Sequence, residues 1–246
     1  MKADPADQLR LLDLQELDSR HDALQNRLRS LPETAQLAEL RTRRTGIDGE
    51  ARDAAVLADD LERERKRADT DVEQVRARRE RDQGRLDSGQ ASAKDLERIS
   101  HEMVSLKRRI DELEDIELEI MERLEAATSM RDDLMRQRDD IDAEAATLVR
   151  SRDEKAGEIQ VEVGAVQAER SRMAAEVPDA LLALYERLRE RHGGIGAAAL
   201  HRRACGGCRL TLNSADLADI AAAAPDEVVR CEECDRILVR TLESGI

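Results

Sequence analysis

The sequence lacks the side chains that usually build a large globular core. It contains no phenylalanine, no tryptophan and one tyrosine, Tyr185, among 246 residues. Charged residues make up 39% of the chain, and the mean hydropathy is -0.64. This composition argues against a large globular core and is typical of long helices and coiled coils. A disordered chain can have a similar composition, but it lacks the periodic apolar positions that this chain shows.

Long apolar runs are also missing. The N-terminal stretch MKADPADQLRLLDLQELDSR has no apolar core of a signal peptide. No apolar run approaches the length of about 18 residues that a membrane-spanning helix needs. We therefore expect a cytoplasmic protein without membrane contact, whose thiols stay reduced. The net charge of -14 speaks against a large nucleic-acid-binding face, and the lack of aromatics excludes base stacking by the ribbon described below.

What the chain does have is apolar residues at alternating spacings of three and four, the pattern of a coiled-coil seam. A first series, with a stutter around Pro32 and Gly46, comprises Leu14, Leu17, His21, Leu24, Leu28, Leu31, Ile47, Ala51, Ala54, Ala58, Leu61, Ala68, Val72, Val75 and Leu86. A second series comprises Leu96, Ile99, Met103, Leu106, Ile110, Leu113, Ile120, Leu124, Leu134, Ile141, Leu148, Ile159 and Val166.

The stretch LDSGQASAKDLE separates the two series and predicts a turn near 87–92. Ser92 and Asp95 have the spacing of a capping box at the start of a second helix. The sequence thus predicts an antiparallel coiled-coil hairpin over 1–177; the alternative is a parallel dimer of one long helix. The residues of the predicted hairpin tip are Asp87, Ser88, Gly89, Lys94 and Asp95.

A short connecting helix is predicted over 178–194, between Pro178 and the pair Gly193–Gly194. One face of it carries three leucines and Tyr185. We interpret Tyr185 as a packing residue at this junction.

All four cysteines lie near the C-terminus, as Cys205, Cys208, Cys231 and Cys234. Two CxxC pairs are typical of a structural zinc site, because each tight turn points two thiolates at one tetrahedral ion. A redox pair and an iron–sulfur cluster are the competing interpretations. Short strand candidates and a small helix flank the cysteines, so residues 195–246 are predicted to form an α+β zinc ribbon with one structural Zn²⁺. The overall fold class is then mainly α.

Six arginines near the cysteines are candidate contacts to nucleic acid or to a partner: Arg202, Arg203, Arg209, Arg230, Arg236 and Arg240. Their simpler role is to offset the net charge of -2 that four thiolates and one Zn²⁺ carry. The more specific hypothesis is that they contact the phosphate groups of a nucleic acid.

The segments SGQASAKDLERISHEMVSLKRRIDELEDIELEIME, PDALLALYERLR and CGGC…CEECDRILVR resemble the bacterial C4-type zinc-ribbon coiled-coil hairpin family, the group that includes the flagellar regulator FlgZ. The resemblance spans the chain and implies the four cysteines as zinc ligands. It also implies adaptor-like work in bacterial gene regulation, with a sigma factor or a secretion or flagellar component as partner. The second knuckle departs from the usual CPxCGR, because Glu232 replaces Pro and Asp235 replaces Gly.

Three functions compete at this point, and none is enzymatic because the sequence shows no catalytic constellation or small-molecule site. The first is an adaptor that binds protein partners through the hairpin and the ribbon. The second is RNA or DNA binding through the ribbon arginines. The third is a DksA-like RNA polymerase regulator, suggested by Asp82, Asp87 and Asp95 around the turn. The sequence leaves the partner, the pathway and the oligomeric state open.

Overall fold

The computed structural model describes residues 1–90 and 92–246. Helices α1 to α4 cover most of the chain, and a small ribbon follows them. The helices are α1 (Pro5–Arg29), α2 (Pro32–Asp87), α3 (Ala93–Ala174), α4 (Asp179–Arg191) and α5 (Ser214–Ala222). The strands are β1 (Ala197–His201), β2 (Ala204–Cys205), β3 (Val229–Arg230) and β4 (Ile237–Val239).

Local chemistry explains where the first helices begin and end. Asp4 caps α1 by accepting a hydrogen bond from the Ala6 amide at 2.8 Å, and Pro5 occupies the first turn, where no amide donor is needed. Helix α1 ends at Arg29, and α2 restarts at Pro32, a residue that cannot continue a hydrogen-bond ladder from the preceding turn. The predicted stutter is therefore a helix break at Pro32, whereas α2 runs unbroken through Gly46.

Residues 35–149 form one of two compact units. Within it, α2 and α3 run antiparallel, since Arg44 pairs with Asp142 at 2.6 Å and Arg76 pairs with Glu114 at 2.6 Å. Predicted seam residues fill the interface between the helices, in two clusters that contain Ile47, Ala54, Ala58, Leu61, Leu134 and Ile141. Leu40 and Ala127, which belong to neither predicted series, are buried in the same clusters. The hairpin interpretation is confirmed in this unit.

The turn of the hairpin uses the predicted residues. Ser88 donates its amide to the Gly84 carbonyl at 3.1 Å, and Gly89 has φ +63, which suits glycine. Ser92 caps α3 by accepting from the Asp95 amide at 3.2 Å. Of the predicted turn at 87–92, position 91 lies outside the described residues.

Residues 1–34 and 150–246 form the second compact unit. Here α1 runs antiparallel to the end of α3, through a seam of Leu17, Leu24, Leu31, Ile159 and Val166. Helix α4 buries Tyr185 and its three leucines against Leu11 and Leu14 of α1 and against Ile237 and Val239 of β4.

The ribbon sheet has the order β2-β1-β4-β3. Strand β1 is parallel to β4 and antiparallel to β2, and β3 is antiparallel to β4. All three β4 residues are buried, because Ile237 and Val239 face α4 and α1 while Leu238 faces α5. The sequence pattern predicted only the first of these two faces.

A contact that the sequence did not suggest joins the start of the chain to the ribbon. The Ala3 amide donates to the Asp226 carbonyl at 2.8 Å, and the Val228 amide donates to the Met1 carbonyl at 3.0 Å. Lys2 forms an isolated antiparallel bridge with Glu227. The first three residues thus lie as a short extra strand beside the segment that leads into β3.

Candidate metal centre

The two CxxC turns have the same backbone construction. In the first, the Cys205 amide donates to the Leu210 carbonyl at 3.0 Å, and the Arg209 amide donates to the Cys205 carbonyl at 2.7 Å. In the second, the Cys231 amide donates to the Arg236 carbonyl at 3.0 Å, and the Asp235 amide donates to the Cys231 carbonyl at 2.8 Å. Each pair of bonds closes a tight turn around its two sulfurs.

The residue after each second cysteine lies in the left-handed region, with φ 64 at Arg209 and φ 63 at Asp235. Glycine adopts this conformation most easily, and Asp tolerates it better than most residues. The predicted tolerance of Asp235 in place of Gly is therefore seen in the geometry. The same conformation at Arg209 was not foreseen.

The four sulfurs converge on one point. Cys205 Sγ lies 3.8 Å from Cys234 Sγ, Cys208 Sγ lies 3.9 Å from Cys231 Sγ, and all four sulfurs lie within 4.8 Å of one another. A tetrahedral Zn²⁺ with Zn–S bonds of about 2.3 Å requires sulfur–sulfur edges of about 3.8 Å. The donor set therefore fits Zn²⁺, and four protein ligands leave no position for water or substrate, so the metal is structural.

Burial opposes ionisation of these thiols. It raises the pKa of Cys205 and of Cys231, both of which are buried. At Cys234 burial acts in the same direction, but hydrogen bonds from the Arg236 amide and side chain outweigh it and lower the pKa to about 7. A bound cation would supply the stabilisation that the thiolates of Cys205 and Cys231 need.

Arg236 supports the centre from the second turn. Its guanidinium donates through Nε to the Ile195 carbonyl and through Nη2 to the His192 carbonyl, both at 3.0 Å. Its stem also covers Gly207 of the first turn, where an added Cβ would lie 2.7 Å from Arg236 Cδ. One side chain thus touches both cysteine turns and the end of the connecting segment.

Two more of the six candidate arginines form hydrogen bonds or ion pairs within the ribbon. Arg240 donates to five carbonyls at and after the end of α5, those of Ile220, Ala223, Ala224, Pro225 and Glu227. Arg230 donates to the Asp235 carbonyl at 3.1 Å and pairs with its carboxylate. With Arg236, these arginines make structural bonds inside the ribbon, and their role as external contacts stays a prediction.

The remaining three arginines are exposed. Within the described residues, Arg202, Arg203 and Arg209 have no side-chain hydrogen bond or ion pair. All three have positive φ, at 48, 65 and 64. The structure therefore divides the predicted set of six into three internal and three exposed side chains.

A buried polar network beside the ribbon was missed by the sequence analysis. The Tyr185 hydroxyl donates to Asp18 at 2.7 Å, and Arg170 and Arg189 reach the same carboxylate at 3.1 and 3.3 Å. Gln15 accepts from the Gly196 amide and donates to the Gly194 carbonyl, both at 2.8 Å. One signal for this network was present in the sequence. Gln15 and Asp18 are polar residues next to seam positions of α1, the helix that packs against Tyr185.

The residues at the hairpin tip fall into two groups. Asp87, Ser88, Lys94 and Asp95 are exposed at the turn. Asp82 is buried at a seam position, 3.7 Å from Arg85. The expectation that Asp82 adds to an acidic tip is therefore wrong, because its side chain points into the helix pair.

A helical hairpin with a four-cysteine ribbon defines a zinc-ribbon coiled-coil protein. Family models agree with this class: residues 14–193 match the CT398-like coiled coil hairpin domain, and residues 204–238 match the C4-type zinc ribbon domain. The chain belongs to the CT398-like coiled-coil hairpin family, as the resemblance in the sequence implied. The ribbon match identifies the metal as Zn²⁺.

Similar proteins are known across bacteria. An uncharacterized protein of Mycobacterium tuberculosis is 35% identical over 240 residues, with 98% of each chain covered. A solved structure from Mycobacterium smegmatis has a TM-score of 0.86 and 32% sequence identity to this chain. The alignment covers 98% of this chain and 100% of the Mycobacterium smegmatis chain. The structure of CT398 from Chlamydia trachomatis has a TM-score of 0.71 at 17% identity, covers 96% of this chain and 98% of its own, and shares the fold.

The described part of the chain contains no helix with both the length and the apolar character needed to cross a bilayer.

Proposed function

We propose that this protein is a non-enzymatic adaptor whose hairpin and ribbon bind protein partners in bacterial gene regulation. The closed sulfur site supports this role, because its metal holds the ribbon together and has no open position for chemistry. A hairpin built from two long helices offers extended surfaces outside its own seam.

The observation that carries the proposal is an apolar surface on the hairpin that the seam does not bury. Leu118 and Met121 of α3 are 60% and 48% exposed. They line a cavity of about 360 Å³ together with half-buried Leu124, with Arg65 and with three glutamates, Glu62, Glu122 and Glu125. Neighbouring apolar side chains that form a continuous exposed patch mark contact sites for other proteins. Met is well suited to such surfaces because its side chain adapts to different partners.

Affinity purification from the native host, followed by mass spectrometry, tests the proposal. We expect the full chain to recover a protein partner in near-stoichiometric amounts. The double variant Leu118→Asn, Met121→Gln should recover much less of it. Val161→Asn is a matched control, because Val161 is 75% exposed on α3 but lies outside this surface. No stoichiometric protein, or equal recovery by both variants, would contradict the proposal.

A second candidate function rests on the three exposed arginines. A left-handed conformation costs a non-glycine residue about 1–2 kcal/mol. Arg202, Arg203 and Arg209 bear this strain without internal partners for their guanidinium groups. Strain kept at a surface is a reason to look for function, and guanidinium groups are suited to contact phosphate. RNA or DNA binding by this side of the ribbon is the corresponding hypothesis.

Mobility-shift assays at low and high salt test nucleic-acid binding. Replacing the three arginines by glutamine should abolish a shift that the wild type shows at low salt. The matched control replaces Arg20, Arg172 and Arg187, which are exposed on the helices of the same unit. If the wild type shifts neither RNA nor DNA at low ionic strength, the second candidate is eliminated.

A further inference from the structure

A groove between α5 and β3 was not singled out by the sequence. It has a volume of about 600 Å³ and is lined by α5 on one side and by β3 and the second cysteine turn on the other. We call it the α5–β3 groove. Its floor contains buried Leu212, Ile220 and Val228. The volume is within the range of ligand-binding sites, and most of the groove's exposed lining is polar.

The rim of the α5–β3 groove is acidic. Asp219 of α5 lines the groove together with Glu227, Glu232 and Glu233, and all four residues are exposed. None of the four forms an ion pair among the described residues. The one cation in the lining, Arg230, is paired with Asp235. A cationic ligand is therefore electrostatically complementary to the groove.

The same groove borders the edge of the sheet. β3 is the last strand in the order β2-β1-β4-β3. The Cys231 amide donates toward β4, to the Arg236 carbonyl, so the backbone groups of neighbouring Arg230 point to the opposite side. On this side, the Val228 amide is bonded to the Met1 carbonyl and the Ala3 amide to the Asp226 carbonyl. The N–H and C=O of Arg230 are therefore available to an added strand, whereas those of Val229, like those of Cys231, face β4.

We propose that the α5–β3 groove binds an extended basic peptide segment of a protein partner by adding it as a strand to β3. Alternate aliphatic side chains of the segment pack on the floor, and its lysines or arginines pair with the four carboxylates. Strand addition suits such a site, because backbone bonds supply affinity and alternate side chains supply specificity. The inference rests on the adaptor function and names the chemistry of one partner segment.

Fluorescence anisotropy with the zinc-loaded full chain tests the proposal. The probe is a blocked, labelled seven-residue peptide of alternating lysine and valine; the comparison peptide alternates glutamate and valine. We expect the lysine peptide to bind at low salt and the glutamate peptide not to bind. The triple variant Asp219→Asn, Glu232→Gln, Glu233→Gln should bind about tenfold more weakly, since each exposed ion pair contributes little alone.

The matched control removes three carboxylates from α3 of the same unit, at Glu158, Glu162 and Glu169, all of which are exposed. This variant should bind the lysine peptide within about twofold of the wild type if the groove, and not net charge, attracts the peptide. Titration followed by amide NMR should move the signal of Arg230 most. This amide reports directly on strand addition.

Several outcomes would overturn the groove proposal: no binding of the lysine peptide, equal weakening by both triple variants, or shifts confined to other segments. A groove-dependent dimer in sedimentation would mean that a second copy of the chain occupies the site instead. Because the assay uses purified protein and a defined peptide, its failure leaves the adaptor proposal to the experiment on Leu118 and Met121.

Discussion

Tyr185 shows how much one residue can organise in a chain without other aromatics. Its ring is fully buried among the leucines of α1 and α4, and its hydroxyl is bonded to the carboxylate that Arg170 and Arg189 also contact. Burial, followed by the hydrogen bond and charge of Asp18, raises the pKa of Tyr185 well above its usual range. The neutral phenol is therefore part of the folded state.

Replacing Tyr185 by Phe should lower the free energy of unfolding by about 1–2 kcal/mol at pH 7, because Asp18 loses a buried donor. The effect should depend on pH. The unfolded tyrosine ionises near pH 10, while the folded one stays protonated, so the wild type loses stability as pH rises above about 10. The Tyr185→Phe variant has no hydroxyl that could ionise, so its stability does not change for this reason.

Urea unfolding of both proteins between pH 8 and pH 11 measures the difference. The difference in the free energy of unfolding between the wild type and the variant should decrease by about 1 kcal/mol toward pH 11. A gap that stays constant over this range would show that the hydroxyl is not held protonated by its surroundings.

At the scale of elements, the junction between α4 and β1 is tightly packed. A Cβ on Gly196 would lie 2.6 Å from the Tyr185 carbonyl oxygen and 3.0 Å from the Arg189 amide nitrogen. These are backbone atoms of α4, which cannot yield without moving the helix. By contrast, an added Cβ on Gly157 in α3 would meet no heavy atom within 4 Å.

We therefore expect opposite effects from two glycine-to-alanine substitutions in the same unit. Gly196→Ala should destabilise the protein by about 3 kcal/mol through overpacking. Gly157→Ala should stabilise it by about 0.5–1 kcal/mol, because alanine is the better helix former. Denaturant unfolding of both variants checks the prediction, and a small effect of Gly196→Ala would show that α4 can move away from β1.

The same comparison of elements shows what the sequence could reveal. Leucines and isoleucines at three-four spacing are a local signal, so Leu61 and Ile141 were correctly placed in the seam. The CxxC spacing is equally local, and it located the metal site. The small helix predicted beside the cysteines is α5, and Asn213 caps it by accepting from the Asp216 amide at 2.9 Å.

Contacts between segments that are distant in the sequence could not be predicted from local spacing. Nothing near Lys2 in the chain indicates its bridge to Glu227, and nothing near Arg240 indicates the five carbonyls that it binds. These bonds depend on how strands and helices assemble. For the same reason, six equivalent arginines in the sequence became three internal and three exposed ones only in the structure.

At the scale of the whole molecule, the chain divides into two compact units, and only one contains the metal ligands. The ribbon core is small and is completed by Cys205 and Cys231 themselves. Small domains of this kind depend on their metal for folding. The unit formed by residues 35–149 is held by its own helix–helix seam.

Zinc removal should therefore act on one unit. With a strong chelator, hydrogen exchange at the ribbon amides, such as those of Leu200 and Ile237, should become at least about a hundredfold faster. Amides around Leu61 and Leu134 should keep their protection. Replacing all four cysteines by serine should reproduce the pattern in zinc-containing buffer, and metal analysis of the wild type should find one zinc per chain. Equal loss of protection in both units would contradict this division.

Arg236 connects the four-cysteine site to residues that do not bind the metal. The same guanidinium that borders Cys234 is anchored on the carbonyls of His192 and Ile195, one residue before the glycine whose amide Gln15 holds. Oxidation or alkylation of that thiol would disturb a side chain whose other bonds fix the exit from α4. Chemical modification of Cys234 would thus also disturb the backbone between α4 and β1, several residues from any cysteine in the sequence.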